Sequence, residues 1–315
     1  MNPIGAVIVA HNSGREIGPC LDSLPPGLEV VVVDNASADD TRAEVSHRGN
    51  VPLIANPWNR GFAAAANQGI GSLDCEYVLL LNPDVEVISG LDTLLSECEK
   101  PGVAAAGGKL LGQDGCPQLG FMLRRFPTPA ALSFEVLGFN RLWPGNPVNR
   151  RYRCLDLDPD TAAAVEQPAG AMLMLRREAW RKLGGFDESF RPAWFEDVDF
   201  LKRVVMAGYT VRYVPSAAAK HKGGHSVAQV PAGAREIYWY GNLLTYVAKH
   251  FPRYGRLAMC VALMLGSIFR AAYGIVRSGS LRPVSIYARV FRLAGASLRP
   301  AQPEAVVVSS AFGAQ

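Results

Sequence analysis

Over the first hundred residues, short apolar runs that stop abruptly in polar residues alternate with helical stretches, and this rhythm restricts the fold more than any other feature of the chain. Ile4–Ala10, Glu29–Asp34, Val51–Ala55 and Tyr77–Asn82 are β-rich and too short for helices, whereas 14–24, 38–48 and 61–73 have helical composition. Strands alternating with helices imply an α/β fold whose sheet is mainly parallel and covered on both faces. Three runs end in His11-Asn12-Ser13, Asp34-Asn35-Ala36-Ser37 and Asn82-Pro83-Asp84. Ligands of open α/β sheets bind outside the carboxyl ends of the strands, so three polar ends in register predict one site.

The rhythm breaks at 113–165, where Phe126-Pro127-Thr128-Pro129 and Trp143-Pro144-Gly145-Asn146-Pro147 predict loops and short elements laid over the crevice. It returns with a strand in Gly170–Arg176, a helix near Arg177–Leu183, a second helix from about Glu196 to Ala207 and a strand over Thr210–Val214. From about Ala232 the chain reads as wholly helical, and it has no internal repeat. These shifts divide it into a body of 1–230, a helical extension of 231–300 and a flexible tail of 301–315. With 315 residues, 49% of them apolar, there is material for a large core, which excludes a disordered or disulfide-stapled chain. The six cysteines are scattered without a C-x-x-C pair, a pattern of buried thiols in a reducing cytoplasm. Ile4–Ala10 lacks a basic leader and a cleavage site, so it reads as a strand and not a signal peptide.

Charge separates body from extension. The net charge is +4, yet residues 237–303 hold nine Lys/Arg and no Asp or Glu, leaving 23 basic and 28 acidic residues elsewhere. Within the extension, Leu257–Phe269 is apolar for thirteen residues, short of the ~20 that a spanning helix needs. Arg282, Arg289, Arg292 and Arg299 gather within about 100° of a helical wheel, with Tyr287, Phe291, Ala294 and Leu298 roughly opposite. The segment 237–299 therefore reads as a peripheral membrane contact on the cytoplasmic face, with core packing or a homodimer interface as the alternative. Nucleic acid is not expected, since no binding module accompanies the stripe.

Four places carry chemistry. Asp34, at the tip of a buried strand, can accept a hydrogen bond from an imide N–H such as that of uracil or thymine; Ser37 to Asp40 read as turn and cap residues. Asp84 is a hard oxygen ligand suited to Mg²⁺ or Mn²⁺, ions that also bind a nucleotide diphosphate. In Trp194-Phe195-Glu196-Asp197-Val198-Asp199, Asp197 follows an apolar aromatic approach where desolvation keeps a carboxylate basic, whereas Glu196 and Asp199 suit a first helical turn and Asp199 stands four before Arg203. Lys220-His221-Lys222-Gly223-Gly224-His225 reads as a basic loop, with His221 a metal ligand opposite Asp84, and Lys222 and His225 near leaving phosphates.

In order along residues 4–227, Ala6–Asn12, Val32–Ser37, Asn59–Ile70, Leu81–Val85, Gly184–Glu188, Phe195–Asp199 and His221–Gly224 together resemble the inverting family-two glycosyltransferases of the GT-A fold, most closely the bacterial rhamnosyltransferase branch. The resemblance implies a Rossmann-like mixed sheet with a nucleotide-sugar half (about 1–112) and an acceptor half (about 113–230). It implies Asp34 at the base, Asp84 and His221 at a Mg²⁺ or Mn²⁺ ion, and Asp197 as general base. His11, Asn12, Asn67 and Asn82 join the donor side, and Gly170, Ala171, Trp194 and Glu196 the acceptor side. Asn82 departs from the Asp of many relatives, and Lys220 from a frequent second His. The implied reaction moves a sugar, rhamnose from dTDP-rhamnose as best match, from a nucleotide-diphosphate donor to a hydroxyl of a glycan or polyprenyl-diphosphate-linked acceptor. A dehydrogenase would need G-x-G-x-x-G, and a nucleotidyltransferase a basic Gly-rich loop, where His11-Asn12-Ser13-Gly14-Arg15 stands. A non-catalytic sugar-nucleotide-binding protein with a degenerate site is the remaining alternative.

Overall fold

A computed structural model describes residues 3–49, 51–224 and 230–298. The amino-terminal part runs β1 (Ile4–Ala10), α1 (Ile17–Asp22), β2 (Glu29–Asp34), α2 (Thr41–Ser46), β3 (Leu53–Ala55), α3 (Phe62–Ser72), β4 (Tyr77–Leu81), β5 (Val85–Ser89), α4 (Leu91–Glu99) and β6 (Val103–Leu111). The middle contains β7 (Leu123–Arg124), α5 (Pro129–Leu137), α6 (Phe139–Leu142), α7 (Pro147–Tyr152), β8 (Ala163–Val165) and β9 (Gln167–Pro168). Then come β10 (Met172–Arg176), α8 (Arg177–Lys182), α9 (Glu196–Met206), β11 (Thr210–His221), α10 (Ala232–His250), α11 (Arg253–Ser278) and α12 (Arg282–Ser297).

The main sheet has the order β3-β2-β1-β4-β10-β6-β11-β5, with β8 beside β11. Strands β3, β2, β1, β4, β6 and β11 run one way, and β10, β5 and β8 run against them. Both faces are covered: in β1, Ala6, Ile8 and Ala10 enter one core while Val7 and Val9 enter the other. Period-two alternation between two apolar layers explains why these runs read as continuous rather than alternating hydrophobicity. A third core joins α10, α11 and α12 to α5 and to Phe190, Phe195 and Val198 of the α9 region, so the first extension helix buttresses the α/β body.

Three expectations are corrected. The strand after α9 does not stop at Val214: β11 continues through a register shift between Val214 and Ala218 to His221, because β6 and β5 supply partners along that whole length. Lys220 and His221 are thus strand residues, not loop. Within 113–165, Thr128-Pro129 and Asn146-Pro147 start helices: each N-cap side chain accepts a backbone N–H, from Ala131 and Asn149 respectively, with proline at the first helical position. The thirteen-residue apolar run lies inside α11, which at 26 residues is long and apolar enough to cross a membrane by length and composition. His225, Arg299 and the 301–315 tail lie outside the described residues.

Candidate active site

The strand ends meet as the alternation predicts. His11 Nδ1 lies 2.9 Å from the Asn35 carbonyl, which can only accept, so Nδ1 carries the proton. Asn12, at φ 48°, donates its N–H to Ser37 Oγ and accepts from Ala38 N through Oδ1, tying β1 to β2. Asp39 takes Gly14 N on one oxygen and Thr41 on the other, a scaffold role for that acidic stretch. Asp34 is fully buried, and Arg42 Nε donates to its Oδ2 at 2.5 Å while Ser37 N approaches both oxygens at 3.3 Å. Arg42, absent from the candidate residues of the sequence, is thus the ion-pair partner of Asp34.

Asn82-Pro83-Asp84 forms a turn closed by Val85 N donating to Asn82 O, which throws Asp84 out of the end of β4. The register that pairs Val85 with His221 brings β11 to the same place across 137 residues. Asp84 Oδ1 and His221 Nε2 stand 3.6 Å apart, beyond a hydrogen bond. The other oxygen, Oδ2, accepts Gly223 N at 3.1 Å, and the Asp84 carbonyl accepts Lys222 N. Gly223 and Gly224 have φ near 75°, a conformation costly for side-chain-bearing residues, so glycine lets the chain wrap round Asp84. The Lys222 side chain is exposed. Burial lowers the His221 pKa despite Asp84, which keeps the imidazole neutral and able to ligate. A buried carboxylate oxygen beside a neutral imidazole nitrogen is a donor pair that fits a divalent ion such as Mn²⁺. No cluster of three or more His, Cys, Asp or Glu that could hold a metal occurs among the described residues.

Helix α9 begins at two residues in left-handed conformation, Trp194 (φ 81°) and Phe195 (φ 73°). Such backbone costs of order 1–3 kcal/mol per residue and persists only where the surroundings enforce it. Here Asn242 of α10 donates to the carbonyls of Arg191 and Ala193, and the Phe195 ring packs on Trp239 and Tyr246. Asp197 Oδ1 accepts Val198 N at 2.8 Å, and a Cβ placed on Gly170 would lie 3.2 Å from Asp197 Oδ2. Burial raises the Asp197 pKa, opposed by the amides of Val198 and Gly170 and by the charge of Arg124. Glu196 is more deeply buried, its Oε2 has no hydrogen-bond partner, and burial plus the charge of Asp197 raise its pKa well above the ordinary value. Of this buried pair, Glu196 is the carboxyl that burial pushes up further. Asp199 serves structure: Arg203, Lys249 and His250 all bond it within 2.8 Å. Burial works to raise its pKa, but hydrogen bonds from His250 and Lys249 and the charge of Arg203 outweigh it and hold the value at about 2.

The Gly170-Ala171 step joins the two halves. Asn82 N donates to Ala171 O at 3.0 Å, and the neighbouring Gly170 seats Asp197, so the Asp84 turn and Asp197 flank one short segment. Asn67 lies further back: its amide donates to Phe186 O and Glu188 Oε1, and its Oδ1 accepts Phe186 N and Trp180 Nε1. The structure thus gives Asn67 the task of fixing the Gly184-Gly185-Phe186 turn. Gln118 and Arg124, unmarked in the sequence reading, stand beside His221 and Asp197 respectively.

Residues 6–181 match the Glycosyl transferase family 2 description, and 161–310 match Glycosyl transferase family group 2. An N-acetylglucosaminyl-diphospho-decaprenol L-rhamnosyltransferase of Mycobacterium tuberculosis is 32% identical over 78% of this chain and 84% of its own length. The rhamnosyltransferase WbbL of Escherichia coli is 24% identical over 70% of this chain and 83% of its own. Among solved structures, a mannosyltransferase from Pyrobaculum calidifontis in complex with GDP-Man and Mn²⁺ superposes with a TM-score of 0.56 at 20% identity, covering 94% of this chain and 86% of that one.

Proposed function

The chain belongs to glycosyl transferase family 2 and has the GT-A fold, and from that premise we propose that it transfers rhamnose from dTDP-rhamnose to a hydroxyl of a polyprenyl-diphosphate-linked glycan with inversion at the anomeric carbon. The observation that carries the reading is the Gly170-Ala171 step, which seats Asp197 at Gly170 and bonds Asn82 of the Asp84 turn at Ala171. Asp197 takes the proton from the acceptor hydroxyl as that oxygen attacks the anomeric carbon from the face opposite the departing diphosphate. Asp84 and His221 would hold a divalent ion, which when bound offsets the charge of the leaving diphosphate. Asp34 and Arg42 orient the base, and His11 and Asn12 the adjoining part of the nucleotide. One displacement suffices, and no second carboxylate is needed as nucleophile.

The mycobacterial relative, named as an N-acetylglucosaminyl-diphospho-decaprenol rhamnosyltransferase, supports a lipid-linked acceptor. So does the extension. On α11, Met259, Cys260, Leu263, Gly266 and Ser267 are buried, whereas Leu257, Val261, Leu265, Ile268, Phe269 and Val276 are exposed. One face is committed to the protein, where Gly266 leaves no room for a Cβ against Val136 O, and the exposed apolar face supports a peripheral contact with a bilayer. Exposed Arg289 and Arg292 of α12 suit anionic headgroups. A screen of dTDP-rhamnose, UDP-sugars and GDP-mannose for saturable binding with Mn²⁺ or Mg²⁺ tests the donor: tightest metal-assisted binding of dTDP-rhamnose is expected, and preference for another donor would overturn the assignment of sugar and nucleotide.

A further inference from the structure

His221 reaches the Asp84 side through Nε2, and the identity of the atoms around its other edge settles which nitrogen carries the proton. Gln118 meets His221 twice, through its amide nitrogen at 2.8 Å from the His221 carbonyl oxygen and through Oε1 at 2.9 Å from Nδ1. A carbonyl oxygen only accepts, so the Gln118 atom facing it is the NH₂ group and the amide orientation is fixed. Oε1 then faces Nδ1 as an acceptor, and in a neutral imidazole Nδ1 is the protonated nitrogen. Nε2 is left with its lone pair, 3.6 Å from Asp84 Oδ1. The Phe121 ring covers one face of the imidazole, with centroids 5.1 Å apart and planes 16° apart. Gln118 itself is anchored where its N–H donates to Leu110 O at the end of β6 and its carbonyl accepts Met122 N.

We propose that Gln118 is a positioning residue of the metal site, locking the tautomer and ring orientation in which His221 ligates through Nε2. The proposal rests on the reading that Asp84 and His221 hold a divalent ion. Partners that fix a ligand imidazole through its other nitrogen are worth ~10–100-fold in metal affinity. The test uses the full-length protein labelled with ¹⁵N-histidine. Long-range ¹H–¹⁵N spectra of the metal-free form report the His221 tautomer, with His221→Gln identifying the signal, and calorimetric titration with Mn²⁺ in excess dTDP reports affinity. Wild type is expected to show the Nδ1–H form. Gln118→Leu should populate the Nε2–H form and bind Mn²⁺ ~10–100-fold more weakly. Gln118→Glu, which keeps an acceptor at Nδ1, should retain the tautomer and most of the affinity, and it carries the test if the leucine variant does not fold. Wild-type tautomer and Mn²⁺ affinity in Gln118→Leu, or loss of affinity in Gln118→Glu with the tautomer kept, would overturn the proposal. Absence of Mn²⁺ binding by the wild type would instead overturn the metal reading and the proposal with it, a failure visible in a separate arm.

Discussion

Gly170→Ala is a small perturbation aimed at the proposed base. The added methyl would stand 3.2 Å from Asp197 Oδ2 and 3.3 Å from Asp197 Cβ, closer than relaxed contacts, so the carboxylate must move by a few tenths of an ångström. Its other oxygen is held by Val198 N on the same helix, which directs the displacement into the side chain rather than the fold. A misplacement of about 1 Å in a catalytic geometry costs ~10²-fold, so a shift of a few tenths should cost roughly threefold to tenfold in kcat. Donor affinity should remain within about twofold, because a base acts in the transition state. Overpacking should lower stability by about 1 kcal/mol. Gly71→Ala, where a new Cβ meets nothing within 4 Å, is the matched control. Steady-state transfer kinetics with donor titration measure both quantities. A folded Gly170→Ala enzyme with wild-type kcat would show that Gly170 does not set the position of the base.

Asp84→Ala should abolish metal-dependent donor binding, whereas Asp34→Ala should weaken binding roughly tenfold and leave its metal dependence intact; calorimetry with and without Mn²⁺ separates them. The Asp199 pKa is depressed from 3.8 to about 2, so its stabilisation is present above pH ~4 and lost as pH falls toward 2. In denaturant titrations the stability gap between wild type and Asp199→Asn should narrow by about 2 kcal/mol over that window, and a constant gap would refute the clamp. Vesicle co-sedimentation should show salt-reversible binding to anionic but not neutral lipid, weakened by combined Arg282, Arg289 and Arg292→Gln changes; a soluble dimer burying α11 with no lipid preference would favour the packing alternative.

The sheet was readable because its strands are buried on both faces and end in polar residues, a signal that needs no long-range information. Side-chain chemistry alone sets His221 opposite Asp84 as a metal-type pair, whereas the contact that brings them together comes from the β5–β11 register across 137 residues. Gln118 and Arg124 left no local mark because what they do depends on β6 and the short β7–β9 pair folding back on the site. Thr128-Pro129 and Asn146-Pro147 did carry a local mark: the same Pro that breaks one element starts the next when a capping residue precedes it. The apolar run Leu257–Phe269 understates α11 because its flanking residues Arg256 and Arg270 both sit inside the helix, Arg270 donating to the carbonyls of Glu135 and Val136.

The most direct measurement of the central claim is Asp197→Asn assayed for rhamnosyl transfer from dTDP-rhamnose to a polyprenyl-diphosphate-linked glycan, with donor affinity measured on the same preparation. Loss of ~10²–10⁴-fold in turnover with near-wild-type donor binding is the predicted result. Near-normal transfer by Asp197→Asn would contradict the account and move the base to another group, and equal loss of donor binding would make Asp197 a binding residue instead.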